Sequence, residues 1–125
     1  MTASRFVGRV RAVGVVVVVM AVAGCESDRA TRDRVSFGRT IYVRECARCH
    51  GPKGDGYPGV YPALAGNPIV TLDSPEPMIE IVDRGRAAMP GFEGQIPPQN
   101  IAAVISYVRG AWGNGAWPVK PNEVK

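Results

Sequence analysis

The nineteen residues HGPKGDGYPGVYPALAGNP, from His50 to Pro68, contain five glycines and four prolines. Proline removes a backbone donor and glycine raises the entropy lost on ordering, so no regular helix or strand survives that density. A second stretch of the same kind, RAAMPGFEGQIPP, follows at 86–98. Loops this long are uncommon in a compact domain unless they wrap something. Regular structure is left to three short segments, and the expected class is all-α with a thin core.

Each of those segments carries helical spacing. A helix from about Ser36 to Cys49 places Gly38, Tyr42, Cys46 and Cys49 along one stripe. A second starts at Asp73 or Ser74, with Pro75 at its first position and Glu76 in its first turn. Met78, Ile81 and Val82 form its apolar face, and Gly85 ends it. The third runs from Pro98 to about Ala111, with Ile101, Val104, Ile105 and Val108 at amphipathic spacing. Gly113 and Gly115 stop it, and 117–125 reads as a loosely ordered C-terminal tail. No internal repeat is visible.

The N-terminus belongs to targeting rather than to this fold. Arg5, Arg9 and Arg11 precede an uncharged apolar run from Ala12 to Gly24. That run matches the core of a secretory signal peptide over 1–24 and falls short of the roughly 20 residues that cross a bilayer. An uncleaved anchor is the alternative. Val22-Ala23-Gly24-Cys25 resembles a bacterial lipobox, which implies lipidation at Cys25. Acyl chains contribute about 0.8 kcal/mol per buried methylene, and two or more hold a small domain stably. The charged stretch ESDRATRDR then reads as a solvated tether within 25–35. The chain is thus expected to be exported and lipid-anchored on the periplasmic face of a bacterial membrane. Removing the leader takes three arginines from the formal +4, leaving twelve basic residues against eleven acidic. The basic balance therefore gives no reason to expect nucleic acid as a partner.

With Cys25 committed to lipid, only Cys46 and Cys49 remain, in RECARCHG, with His50 as the one histidine of the chain. Zinc wants about four ligands, usually as two paired sets, and no second pair exists. A thioredoxin-like dithiol follows a strand in a βαβ pattern; here the pair closes a helix. C-x-x-C-H is the attachment signature of c-type haem. Two thiols add to two vinyl groups a fixed distance apart, and the adjacent histidine is carried under the iron as proximal ligand.

FGRTIYVRECARCHG resembles the N-terminal helix and attachment site of class I cytochromes c, and the likeness runs from about Phe37 to Gly113. It implies a cytochrome c fold over 36–116, about three short helices and long loops wrapped around one covalently bound haem c. It also implies that Gly38 and Tyr42 meet the C-terminal helix near Val104 and Tyr107. Met89 in RAAMPGF stands where the family delivers its distal thioether ligand. Pro62 stands where a carbonyl orients the proximal histidine, and Leu64 where a leucine packs on the haem. The tract YPALAGNP, with MPGF and IAAVISYVRGAWGN, is similar to cytochrome subunits of membrane-bound sugar and alcohol dehydrogenases. Tyr57, Asn67, Arg84 and Arg86 are candidates for the haem propionates.

These features imply an electron carrier rather than an enzyme, passing single electrons between redox partners such as a dehydrogenase, a terminal oxidase or another respiratory complex. Two other possibilities are a fixed haem subunit of a larger oxidoreductase and, if Met89 does not ligate, a five-coordinate haem that binds gas or peroxide.

Overall fold

The computed structural model describes residues 27–125. The leader over 1–24 and the expected lipidation site Cys25 lie outside the described residues. Chain contacts define two units, Met1–Arg32 and Asp33–Lys125. In the first, 27–32 are helical and mostly exposed, and the Thr31 hydroxyl donates to the Ser27 carbonyl at 3.0 Å. Asp28 and Arg32 stand four apart, a spacing at which opposite charges support a helix. In the second unit helical backbone is present from its first residue rather than from Ser36. The stretch expected as a tether is therefore helical wherever it is described.

In the second unit the first helix, α1, is α-helical over 33–41, opens into a π-turn at Tyr42–Cys46, and closes as Ala47–His50. In the π-turn the Ala47 N–H bonds to the Tyr42 carbonyl, five residues back rather than four. The extra residue breaks the single stripe expected of Gly38, Tyr42, Cys46 and Cys49. Gly38 and Tyr42 are buried, whereas both cysteines are half-buried.

Helix α2 spans Glu76–Arg84 behind Pro75, and the Glu76 N–H reaches the Ser74 hydroxyl at 3.4 Å. Met78 enters the core as its spacing predicts and Ile79 joins it, while Ile81 and Val82 are half-buried. Helix α3 spans Pro98–Gly110. Its expected face, Ile101, Val104, Ile105 and Val108, is buried, but so are Ala102, Ser106 and Arg109 on the other side. Among the described residues there is no strand, only isolated antiparallel bridges at Tyr57–Tyr61 and Arg86–Met89.

The C-terminal segment explains why α3 is buried nearly all round, and it corrects the expectation of a loosely ordered tail. Val119 is 0% exposed and Val124 5%. The Ser106 hydroxyl accepts the Val119 N–H at 2.8 Å and donates to the Ala102 carbonyl at 2.7 Å. Arg109, 1% exposed, donates to the carbonyls of Trp117 at 2.9 Å, Val70 at 3.0 Å and Leu72 at 2.8 Å. Burial pulls the guanidinium pKa down, and the charges of Glu123 and Asp73 oppose this. Such anchoring by side chains leaves no periodicity for the tail's own sequence to display.

Helices α1 and α3 cross with their backbones in contact. A Cβ added at Gly38 would run into the Ala103 carbonyl, with Val104 N at 3.0 Å. Since the obstacle is main chain rather than a mobile side chain, Gly38→Ala should lower stability by about 3 kcal/mol, read as a fall in the thermal midpoint. Arg109→Leu leaves the buried Val70 carbonyl and the part-buried Leu72 and Trp117 carbonyls without this donor, at about 1–3 kcal/mol for the buried one. Limited proteolysis should then cut its tail at Lys120 under conditions where the wild type resists.

Candidate functional site

Helix α1 ends on the residue that matters most. His50 is 8% exposed, and both its main chain and its ring are held. The Gly56 N–H donates to the His50 carbonyl at 2.8 Å. One residue on, the Gly51 carbonyl accepts the buried Tyr42 hydroxyl at 2.6 Å. The ring Nδ1 donates to the Pro62 carbonyl at 2.9 Å; a carbonyl can only accept, so Nδ1 carries the proton. The lone pair is then on Nε2, the nitrogen left for a metal. Gly56 permits this geometry, because a Cβ there would lie 2.6 Å from the Tyr61 carbonyl oxygen and 2.7 Å from the Pro62 carbonyl carbon.

Pro62 and Leu64 belong to a loop pinned on both flanks. Tyr57 and Tyr61 exchange N–H and carbonyl at 2.9 Å in both directions, with their rings edge-on at 6.2 Å. Leu64 and Ala65 both donate to the Gly54 carbonyl, at 2.7 and 2.9 Å, and Leu64 packs half-buried against the core. Cys46 and Cys49 are free thiols. Burial pushes the Cys46 thiol up to about 11, helped by the Glu45 carboxylate and then by Cys49. It is therefore protonated at neutral pH.

Met89 stands on a separate turn with a rigid frame. Arg86 and Met89 exchange backbone hydrogen bonds at 3.0 and 2.9 Å across a two-residue link, with Ala87 at φ 52. A positive φ is uncommon for a residue other than glycine. The following residues zip onto the end of α2: Phe92 donates to Val82 and Glu93 to Asp83, each at 3.0 Å. Met89 is half-buried, and its main chain cannot wander.

The structure thus joins His50 to Pro62, sets the two cysteines in the turns before His50, and mounts Leu64 and Met89 on two braced loops. Of the propionate candidates, Arg84 and Arg86 share an open cavity of about 370 Å³ with Ile69, Glu80 and Ile81. Asn67 is spent on its own loop, donating to the Ala63 carbonyl and accepting the Ile69 N–H, both at 2.9 Å. Tyr57 is 48% exposed and pairs with Tyr61.

Two residues absent from the sequence expectation also border the site. Trp112, at φ 51, lies 5.1 Å from Tyr42 and 5.6 Å from Tyr107 between ring centroids, and covers Gly54. Asn114 reaches the loop carrying Leu64. The nearest sequence cue was the AWGN tract itself, which has no periodicity that would assign a partner.

The donor set fits haem c. Two free thiols can form thioethers, an imidazole with Nδ1 tied can ligate through Nε2, and a thioether is available on a braced turn. Half-buried Leu64, Ile69, Val82, Phe92 and Ile96 provide apolar surface against the core.

Residues 33–108 match the family model described as cytochrome c oxidase, cbb3-type, subunit III. The chain is similar to the alcohol dehydrogenase (quinone) cytochrome c subunit of Gluconacetobacter polyoxogenes, at 36% identity over 90 residues, 63% of this chain and 19% of that one. It resembles the gluconate 2-dehydrogenase cytochrome c subunit of Pantoea cypripedii at 33% identity, over 67% of this chain and 22% of that one. Cytochrome c-552 of Thermus thermophilus is 30% identical over 107 residues, which cover 70% of this chain and 81% of that one. The chain spans about a fifth of the length of the dehydrogenase subunits it matches.

Tyr42 links the site to pH. Burial pushes its phenol well above the ordinary value near 10, and the charges of Cys46, Tyr107 and Asp55 add to this, while a backbone hydrogen bond at Gly54 opposes it. The folded state therefore favours the protonated phenol. Its contribution is complete below about pH 10 and is lost as pH climbs through the higher folded value. Tyr42→Phe should cost about 1 kcal/mol in urea unfolding at pH 7, and the gap from wild type should narrow above about pH 10.

Proposed function

The chain belongs to the class I c-type cytochromes, in the family described as cytochrome c oxidase, cbb3-type, subunit III, and from that premise we propose that it is a membrane-anchored monohaem electron carrier. Family membership makes it an electron-transfer haem protein rather than a catalyst. The finer assignment is ours: one haem on Cys46 and Cys49, His50 and Met89 as its axial ligands, and lipid on Cys25 at the periplasmic face of a bacterial membrane. The leader would be 1–24, the lipidated linker 25–35, and the haem domain 36–116 with the 117–125 segment packed on it.

The observation that supports the haem-binding part of this assignment is the hydrogen bond from His50 Nδ1 to the Pro62 carbonyl at 2.9 Å. A ligating histidine is normally held in this way, which fixes the ring plane and raises the basicity of the other nitrogen. The haem would supply a one-electron couple between Fe(II) and Fe(III). The chain's own residues do the rest. His50 presents Nε2 from a fixed ring, and the Met89 thioether, as a ligand, would favour the reduced metal. The 51–68 and 86–98 loops keep water from the centre. If His50 and Met89 both held the iron, no position on it would be left for a substrate.

Partners are proposed as other redox proteins. The dehydrogenase subunits among the relatives support a second form of the same role, a haem subunit held in a larger oxidoreductase. Tight co-purification from detergent favours that form, and recovery as a lone polypeptide favours the free shuttle. Charge steering should be weak for the near-neutral mature chain.

The decisive comparison is the absorption spectrum of the oxidised protein beside that of Met89→Ala. A weak far-red charge-transfer band in the wild type and its absence in the variant are expected. A wild type lacking the band, with rapid carbon monoxide binding when reduced, would replace the carrier with a gas- or peroxide-binding haem protein. Cys25→Ser should move the protein from the membrane fraction to the soluble one.

A further inference from the structure

We propose that Asn114 is a positioning residue for His50, acting as a latch that ties the loop bearing the Pro62 carbonyl to α3. The proposal rests on the haem-binding assignment above. The His50 ring is oriented by one carbonyl, and that carbonyl lies in a segment with neither helix nor strand to stiffen it. Its upstream flank is held by the reciprocal Tyr57–Tyr61 bonds. Its downstream flank is held by a side chain about fifty residues away in sequence.

The Asn114 amide uses all of its geometry on this task. Oδ1 accepts the Gly66 N–H at 2.8 Å. Nδ2 donates to the Leu64 carbonyl at 3.2 Å and to the Val108 carbonyl at 2.8 Å. Val108 is 3% exposed on α3, so the loop is fastened to the best-buried helix of the fold. Only one orientation of the amide satisfies this arrangement, because Gly66 offers a donor while Leu64 and Val108 offer acceptors. The Ala111–Asn114 turn closes with the Asn114 N–H on the Ala111 carbonyl at 2.9 Å.

Trp112 on the same turn reinforces the latch. Its ring covers Gly54, whose carbonyl receives the N–H groups of Leu64 and Ala65. The loop is therefore gripped at Leu64 from both sides, two residues after Pro62. Releasing Asn114 frees Leu64 and Gly66 first, then the Pro62 carbonyl, and finally the Nδ1 proton of His50.

The test is exchange of the His50 Nδ1 proton with water, followed by NMR on the reduced, haem-loaded protein. Asn114→Ala should exchange it at least tenfold faster than wild type. Asn114→Asp keeps the acceptor for Gly66 and the side-chain size but loses both donors, so it should also accelerate exchange. Ser106→Ala is the control, since it removes buried hydrogen bonds that lead to Val119 instead. It should lower the thermal midpoint while leaving Nδ1 exchange at the wild-type rate. Unchanged exchange in both Asn114 variants overturns the latch. So does equal acceleration by Ser106→Ala at a matched loss of thermal midpoint, which would make Asn114 merely structural. A wild type purified without covalently bound haem, seen as a missing haemochrome spectrum, overturns the functional assignment itself and is distinguishable from either.

Discussion

A domain with this much glycine and proline cannot satisfy its buried peptide groups through helices alone, yet each must find a partner. Side chains on α3 and just beyond it take over that duty. Arg109 serves the carbonyls of Val70, Leu72 and Trp117. Ser106 accepts the N–H of Val119. Asn114 serves Leu64 and Gly66. The core supplied by thirteen buried apolar residues among those described is small for the length of irregular chain around it, so these polar anchors decide where the loops lie.

That division of labour suits a redox site. Helix α1 contributes the end on which His50 sits, and the loops contribute the turn that carries Met89. An electron moves with least delay when the groups around the metal keep their places in both oxidation states. His50 is braced through its carbonyl, through its ring and through the Tyr42–Gly51 bond next to it. Met89 is braced through a two-residue turn and the zipper onto α2. The proposed ligands thus come from parts of the chain fixed independently, which leaves little to rearrange at either.

Much of this was legible in the sequence wherever a local rule applies. The three helices followed from spacing and from Pro75, Gly85 and Pro98, with ends off by a residue or two, apart from the earlier start of α1. The Pro62 carbonyl followed from a likeness that the structure reproduces as a contact with His50. What stayed hidden depends on partners far apart in the chain. The order of 117–125 comes from Arg109 and Ser106. The role of Asn114 comes from Leu64 and Gly66. The π-turn has no composition of its own, since YVREC differs little from any helical pentapeptide.

That π-turn divides α1 into two parts that serve different masters. The part before it is shaped by Gly38 against the Ala103 backbone, Cys46 closes the turn itself, and the part after it carries Cys49 and His50. Each helical residue turns the chain by about 100°. Winding the same residues as a plain α-helix, without the wide turn, would swing the Cys49–His50 end by about that angle about the axis, leaving the crossing with α3 untouched. The extra residue therefore works as a phase adjuster between two surfaces that could otherwise not both be met. Tightening this one turn with the residue count unchanged would re-aim the thiols without rebuilding the helix contact.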